Sequence, residues 1–452
     1  MDRLLHITGM NTTTAPVHRP LTPYQETVRA LSNRLVQASR PIRVLDAVRW
    51  DDDIETAFFA TGGRELPRVA RDYYATRPLS FDPDHKHEEY RDLERDVRRR
   101  LGDDTPAGRL LTRRCQEGQA LVELIAQRGT PAFAAVSGRL YGSATDSCRD
   151  GGPPLAQLGR TLSALLERRP REEATEVETQ LSAAEVVCEL SSRLTIFFKE
   201  MAPVRVRLSD AIIADAAAGF DYIKVRGDAR FSAREVRLLE VHEGWVHLGT
   251  TLNAQAQPIC TFLTKGTPST TVTQEGLAVL TEVLASASYP SRVRRIVHRI
   301  EAVARAESGA TFLDVYRFYL DEGYEPREAY QHSTRVFRGS LPENCGPFTK
   351  DLSYGKGFVQ VFEFVRAAVR AGQERRVQLL FCGKTSLAEA ADLTQLADEG
   401  LLRLPRHLPP PFAEPSTLSA RMSFAHLWAA PLSRKREHTN DSNHAGTCAS
   451  TL

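Results

Sequence analysis

The segment HEGWVH at residues 242–247 places the strongest constraint on how this chain can fold. It lies within a helical pattern that begins at Ser232, where Glu235 completes the spacing of a capping box. His242 and His247 stand at positions i and i+5, so a regular α-helix would point them roughly 140° apart. One turn of π-helix brings such positions onto the same face. The spacing therefore predicts either a distorted helix with both imidazoles on one side or an ordinary helix with two separately satisfied histidines.

Two histidines on one helical face are a common metal-binding arrangement, and a neighbouring glutamate can act as general base for a metal-activated water. Glu243 follows His242 directly and provides such a carboxylate. Catalytic zinc, however, takes three protein ligands and keeps one position open for water. The pair His242 and His247 therefore needs a third ligand from elsewhere in the chain.

The best third ligand lies in TVTQEGLAVLTEVLASASYP at 271–290, whose apolar spacing is helical. We expect this helix to begin at Thr271, with Gln274 completing a cap-like pair, so that Glu275 falls in the first turn. A carboxylate there can be the third ligand, or it can be present because the helix dipole favours negative charge. Glu282, farther along the same face, is either a partner of a ligand or an ordinary solvent-exposed residue.

The composition is that of an ordinary globular protein without a strong electrostatic preference. Of 452 residues, 42% are hydrophobic and 26% are charged, and Lys+Arg 59 against Asp+Glu 57 leaves a net charge of +2. This balance does not support nucleic-acid or anionic-membrane binding. The seven cysteines include no CxxC pair, which favours a reducing compartment. Without a secretion signal or an apolar run long enough to span a bilayer, the chain is expected to be cytoplasmic.

The patterning along the chain changes from helical to mixed at about residue 200. Helices are expected at 87–102 and 107–129, each ending at a glycine. Short apolar or β-branched runs predict strands at 204–210, 222–227, 259–264 and 377–384. The expected fold class is therefore α+β, predominantly helical with a small β-sheet.

The basic segment RVRRIVHRI at 292–300 combines arginines with an apolar stripe. The favoured interpretation is an amphipathic helix whose arginines face solvent. The alternative is a basic surface for an acidic polypeptide.

The tripeptide Gly383-Lys384-Thr385 resembles the end of a phosphate-binding loop. Gln378 occupies the position at which that loop requires its first glycine. The sequence therefore gives Lys384 no functional assignment.

Two segments together carry a family resemblance: EVHEGWVHLGTTLNAQAQP at 240–258 and TQEGLAVLTE at 273–282. They resemble the flavohemoglobin expression-modulating QEGLA-motif family, which includes the eukaryotic microtubule-associated tyrosine carboxypeptidases. Further similar segments are KVRGDARFSAREVRLLE, VFRGS and FTKDLSYGKGF, at 224–240, 336–340 and 348–358. The linked pair HExxxH and QEGLA is specific, whereas either motif alone is not.

The resemblance implies a zinc metallopeptidase with a zincin-like catalytic domain and one Zn2+ per chain. It implies His242, His247 and Glu275 as metal ligands and Glu243 as general base. The substrate class would be the C-terminus of a peptide or protein, since related enzymes remove a C-terminal residue. The particular substrate does not follow from the resemblance.

A carboxypeptidase also needs a positive group to hold the free terminal carboxylate. Arg338, in the sequence FRG, and Lys350, in FTKD, are the candidates. Tyr354 is the candidate for stabilising the oxyanion. Each has a simpler alternative, because the cations could form surface ion pairs and the tyrosine could be a buried phenol.

The expected organisation is a flexible N-terminal tail, a helical region, a metallopeptidase-like catalytic domain, and a Pro-rich, polar C-terminal tail, at 1–20, 21–175, 176–405 and 406–452. The leading hypothesis is a zinc-dependent carboxypeptidase. The rival is a non-catalytic regulatory or binding protein that retains the fold. The intact Glu243 favours the enzyme, because a binding protein does not need a base beside a ligand. A nucleic-acid-binding regulator would require a basic domain that the sequence lacks.

Overall fold

A computed structural model describes residues 20–149, 151–167, 180–199, 204–209, 212, 214–343 and 345–429. Residues 1–19 of the expected N-terminal tail and residues 430–452 of the expected C-terminal tail lie outside the described residues. In the described part, helices far outnumber strands, which confirms the predominantly helical α+β class.

The α-helices are α1 (Pro23–Ser39), α2 (Val44–Ala47), α3 (Asp52–Ala60), α4 (Arg71–Ala75), α5 (Pro83–Leu101), α6 (Pro106–Ala126), α7 (Pro131–Tyr141), α8 (Leu155–Glu167), α9 (Ala183–Phe198), α10 (Ala233–Leu239), α11 (Gly249–Gln255), α12 (Pro268–Leu284), α13 (Pro290–Glu307), α14 (Phe312–Asp321), α15 (Pro326–Phe337), α16 (Ser353–Arg370), α17 (Glu374–Leu379), α18 (Ala390–Asp398), α19 (Pro410–Ala413) and α20 (Pro415–Ala429). A π-helix, Glu240–Leu248, joins α10 to α11. Short 3-10 helices lie at Thr261–Thr264, Thr349–Leu352 and Leu387–Glu389.

The strands are β1 (Leu181–Ser182), β2 (Arg205–Ser209), β3 (Ala216–Ala218), β4 (Tyr222–Arg226) and β5 (Arg230–Phe231). β1 and β5 form an antiparallel pair. The second sheet has the order β2-β4-β3, in which β2 runs parallel and β3 antiparallel to the central strand. Among the described residues, β3 is therefore an edge strand, and it lies beside the π-helix.

The helices expected at 87–102 and 107–129 correspond to α5 and α6, and the strands expected at 204–210 and 222–227 correspond to β2 and β4. Two other strand predictions are wrong. Residues 259–264 include a 3-10 helix, and 377–384 begin within α17 and continue as a turn. Both segments are short buried apolar runs, and periodicity alone does not distinguish a strand from a buried helix over so few residues.

The hydrophobic core joins the regions that the sequence divides at residue 175. One cluster contains Leu31 and Leu110 together with Phe262 and Leu396. The packed structure also continues beyond residue 405, because Phe412 of α19 is fully buried among residues of α12 and α16. None of the described helices has the length and apolar character required to cross a membrane.

Two glycines set the close packing of α12 against α16. A Cβ atom on Gly276 would lie 2.2 Å from the carbonyl oxygen of Gly357, and one on Gly357 would lie 2.1 Å from that of Val272. Neither position therefore accommodates a side chain. The glycine of QEGLA thus lets the helix that carries Glu275 approach the helix that carries Tyr354.

Candidate metal centre and active site

The HEGWVH segment lies in a π-helix, Glu240–Leu248. The helix α10 begins at Ser232 with the expected capping box to Glu235, and the winding widens over Glu240–Leu248. His242 and His247 consequently point to the same side, with their Nε2 atoms 3.1 Å apart. Of the two arrangements that the spacing left open, the structure has the distorted helix with both imidazoles on one side.

Glu275 of α12 faces this histidine pair. Its Oε2 lies 3.4 Å from Nε2 of His242 and 3.6 Å from Nε2 of His247. The helix begins at Pro268 with Thr267 as its cap, so the expected start at Thr271 is wrong. Glu275 therefore lies in the interior of α12 instead of its first turn, and the helix dipole does not account for its presence.

The three atoms have the separations that a tetrahedral metal ion requires. Ligand bonds of 2.0–2.2 Å in tetrahedral geometry place ligand atoms about 3.3 Å apart. The observed separations of 3.1, 3.4 and 3.6 Å lie close to that value, on both sides of it. Oε2 of Glu275 is also buried without a hydrogen-bond partner among the described residues. Ligand atoms of His242, Glu243 and His247 also lie within 4.8 Å of one another, but Glu275 lies closer to both imidazoles than Glu243 does to His242. These residues fit a metal ion.

A second carboxylate orients His242 from behind. Oε1 of Glu282, which is fully buried, lies 2.6 Å from Nδ1 of His242. Arg292 of α13 donates to both oxygens of Glu282, at 2.9 and 3.1 Å. Such a carboxylate fixes the tautomer in which Nε2 is free to bind a metal. Of the two alternatives for Glu282, partner of a ligand and solvent-exposed residue, the structure supports the first.

The charges around the histidines favour a cation. Burial alone would lower the pKa of His242, but Glu275 and Glu282 outweigh it and raise that pKa to about 9. Burial would raise the pKa of Glu275, but the two imidazoles and the Lys350 ammonium hold it well below its usual value. The carboxylates are therefore ionised and attract positive charge to the point where the three atoms converge.

Glu243 lies beside the cluster with its two oxygens in different surroundings. Oε1 is 4.0 Å from Nε2 of His242, and Oε2 accepts a hydrogen bond of 2.8 Å from the backbone N–H of Ala218 in β3. The carboxylate is thus near the cluster without occupying the position of the third ligand.

The ring of Tyr354, from α16, stacks near the imidazole of His242 at a centroid distance of 6.3 Å. Burial and the charge of Glu275 raise the pKa of this phenol. Its hydroxyl therefore stays protonated at neutral pH and remains a hydrogen-bond donor.

The two predicted carboxylate-binding cations lie on the same side as Tyr354. Lys350 is close enough to lower the pKa of Glu275, and Arg338 is buried, with its guanidinium 5.8 Å from the ring of Phe348. Burial and the charge of Arg335 lower the pKa of Arg338 to about 10. Nε of Arg338 is buried without a hydrogen-bond partner among the described residues, so this guanidinium does not form the surface ion pair considered as the alternative. The charges of Glu275 and Asp351 act on the Lys350 ammonium against the effect of its burial, which lowers its pKa.

The arginines of α13 do not form a solvated face, and that prediction is wrong. Arg292 is buried against Glu282, and Arg295 bonds Glu235 at 3.0 Å. The guanidinium of Arg299 lies 4.4 Å from the ring centre of Tyr354. Each of these arginines contacts a residue of another element: Glu282 for Arg292, Glu235 for Arg295 and Tyr354 for Arg299.

Lys384 is a site residue to which the sequence assigned no function. Its Nζ lies 3.2 Å from Oε1 of Gln274 and 3.4 Å from the carbonyl oxygen of His247. Burial lowers its pKa to about 8, although Glu275 and Glu243 act in the opposite direction. The only signal in the sequence is the tripeptide at 383–385, which resembles the end of a phosphate-binding loop.

The fold and the cluster define a predominantly helical protein with a candidate metal centre between a π-helix and α12. A family model described as microtubule-associated tyrosine carboxypeptidase matches residues 56–429. The chain therefore belongs to the microtubule-associated tyrosine carboxypeptidase family, and this membership points to a peptidase of the carboxypeptidase type. The match includes every candidate site residue named above. Comparison with curated proteins gives no match.

Proposed function

We propose that this protein is a zinc-dependent metallocarboxypeptidase that removes residues from the free C-terminus of a peptide or protein. The observation that carries the proposal is the convergence of His242 Nε2, His247 Nε2 and Glu275 Oε2 at separations of 3.1 to 3.6 Å. Family membership supports the peptidase class, and the donor set of two imidazoles and one carboxylate suits zinc.

His242, His247 and Glu275 would hold the zinc ion. When bound, the ion would lower the pKa of a coordinated water to about 7 and polarise the scissile carbonyl. Glu243 accepts the proton of the attacking water, while the water oxygen bonds to the carbonyl carbon. The same carboxyl group then delivers that proton to the leaving amine as the C–N bond breaks.

Arg338 and Lys350 hold the terminal carboxylate of the substrate. Nε of Arg338 is buried without a hydrogen-bond partner among the described residues, and the planar guanidinium can bind a carboxylate through two hydrogen bonds. Tyr354 donates its hydroxyl to the oxygen that becomes negative as the carbonyl is attacked. Lys350 also lines a cavity of about 300 Å3 together with Tyr141, Thr271, Arg43 and Asp46.

The test is a peptide library that varies the C-terminal residue, incubated with zinc-loaded protein and analysed by mass spectrometry. We expect loss of one terminal residue from a subset of peptides, and no loss from the same peptides with an amidated C-terminus. Glu243→Gln should retain zinc and lose at least about a hundredfold in kcat, the contribution of a general base. Absence of cleavage across the library by zinc-loaded wild type would contradict the proposal and favour the non-catalytic binding protein.

A further inference from the structure

The edge strand β3 contacts the candidate general base through its backbone. The N–H of Ala218 donates to Oε2 of Glu243 at 2.8 Å, whereas Oε1 of the same carboxylate is the oxygen 4.0 Å from Nε2 of His242. Oε2 of Glu243 therefore accepts a hydrogen bond from the sheet, and Oε1 is the oxygen closer to the candidate metal ligand His242.

The pairing of β3 with β4 explains why this amide is available. The N–H of Gly219 donates to the carbonyl of Tyr222 at 2.7 Å, so this N–H points toward β4. In an antiparallel pair the bonding direction alternates, and the N–H groups of Ala216 and Ala218 consequently point away from β4. β3 has no further strand on that side among the described residues, which leaves the Ala218 amide for Glu243.

A backbone donor is well suited to hold a base in place. A glutamate side chain has three rotatable bonds, and orienting it requires that one oxygen be fixed. The Ala218 amide belongs to a paired strand and cannot move away by changing rotamer. Its hydrogen bond to an ionised carboxylate is stronger than one between neutral groups. The side chain of Glu243 is only 13% exposed, so water competes weakly for the same oxygen.

We propose that Ala218 is a positioning residue for the reaction, whose amide fixes Oε2 of Glu243 and directs Oε1 toward the attacking water. This inference rests on the proposed peptidase function, because it assigns Glu243 the role of proton acceptor. The amide itself does not touch the substrate and exchanges no proton in the reaction.

A spectroscopic test examines the contact without any assay of activity. In protein labelled with 15N-alanine, the Ala218 amide resonance is identified by its loss in Ala218→Gly. Replacing Glu243 by alanine removes the charged acceptor, so the Ala218 amide proton should shift upfield. The Ala217 amide, which bonds toward β4, should shift far less. An Ala218 resonance that does not move would overturn the inference.

A pair of proline variants tests the role in the reaction. Ala218→Pro and Ala216→Pro each remove one outward-pointing amide of an edge strand, where proline is tolerated. Ala218→Pro should lower kcat by up to roughly a hundredfold, the effect of a small misplacement of a catalytic group. Its KM should change by less than about twofold and its zinc content should stay the same, since neither carboxylate binding nor the ligands are altered.

Ala216→Pro is the matched control and should keep kcat near the wild-type value. Equal losses in both variants, or no loss in Ala218→Pro, would contradict the positioning role. If wild type cleaves no peptide although the Ala218 amide responds to Glu243→Ala, the proposed function is wrong. If wild type is active and the amide does not respond, only the present inference is wrong.

Discussion

The two sides of the candidate metal centre differ in how their buried charges are satisfied. On the histidine side, Glu282 bonds both His242 and Arg292, so the carboxylate and the guanidinium are paired. On the opposite side, Nε of Arg338 is buried without a hydrogen-bond partner among the described residues, and Arg338 forms no ion pair there. The first side thus has a complete ion pair, and the second has a buried guanidinium for which we propose a carboxylate of the substrate as the partner.

Two arginines at the end of α15 make the same contrast: Arg335 lies in its last turn, and Arg338 is the residue that follows the helix. Arg335 bonds both oxygens of Asp351, at 2.7 and 2.8 Å. Arg338 is similarly buried but has no carboxylate within ion-pair distance in the described structure. An unpaired buried charge is costly, so burial alone does not explain Arg338. The difference teaches that the Arg335–Asp351 pair is satisfied within the fold, whereas the proposed binding of a substrate carboxylate would supply a partner for Arg338.

The largest expected effect is on stability and comes from removing the ion pair between Arg292 and Glu282. Arg292→Met leaves the fully buried Glu282 without its ionic partner and should lower the free energy of unfolding by about 3–5 kcal/mol. Urea unfolding monitored by circular dichroism measures this change. The control Arg317→Met removes an exposed ion pair to Asp314 at 3.6 Å and should change stability by less than about 1 kcal/mol. Similar effects of the two substitutions would contradict the comparison.

Substitution of Arg338, on the opposite side of the site, should affect peptide binding instead of stability. Arg338→Met leaves no carboxylate without an ionic partner, because Asp351 pairs with Arg335, so the free energy of unfolding should change by less than about 1 kcal/mol. In the Glu243→Gln background, a peptide with a free C-terminus should bind more tightly than its amidated form, and Arg338→Met should remove about 2–5 kcal/mol of that preference. Isothermal titration calorimetry measures both peptides. An unchanged preference for the free carboxylate would exclude Arg338 as its binding group.

The smallest expected effect is the pH dependence of stability that comes from the ion pair between Arg335 and Asp351. Burial raises the pKa of Asp351, but Arg335 and Arg299 outweigh it and hold the pKa well below its usual range. Because the folded-state pKa is depressed, the contribution to stability is complete above the unfolded-state value of about 4 and is lost as pH falls below it. The stability difference between wild type and Asp351→Asn should therefore narrow between about pH 5 and about pH 3 in urea titrations. A constant difference over that range would contradict the ion pair.

The local geometry of the metal site follows from the sequence to a large extent. Two histidines at i and i+5 share one helical face only in a wide turn, and the structure has a π-helix at Glu240–Leu248. The strands β2 and β4 follow from β-branched runs bounded by turn residues. These features are encoded within a few consecutive residues, and local spacing is sufficient to predict them.

Features that depend on distant partners could not be predicted in this way. Arg292, Arg295 and Arg299 have the spacing of a solvated helical face, yet they turn inward toward Glu282, Glu235 and Tyr354. The position of a buried charge is decided by whether tertiary structure supplies its counter-charge, and a single sequence does not contain that information.

Lys384 and the amide of Ala218 were missed for the same reason. Lys384 reaches the site from the turn after α17, and its contact with the carbonyl of His247 spans 137 residues of sequence. The Ala218 amide acts through backbone, so its residue type gives no signal. Only the pairing of β3 with β4 reveals that this N–H points toward Glu243.

The most direct test of the central claim is the zinc content of the purified protein, measured by elemental analysis beside His247→Ala and Glu275→Ala. The account predicts about one zinc per chain in wild type and loss or strong weakening of binding in both variants, because each removes one of three ligands. A wild type that holds no zinc and cannot be loaded with it would contradict the account. Full zinc content in Glu275→Ala would show that α12 does not supply the third ligand.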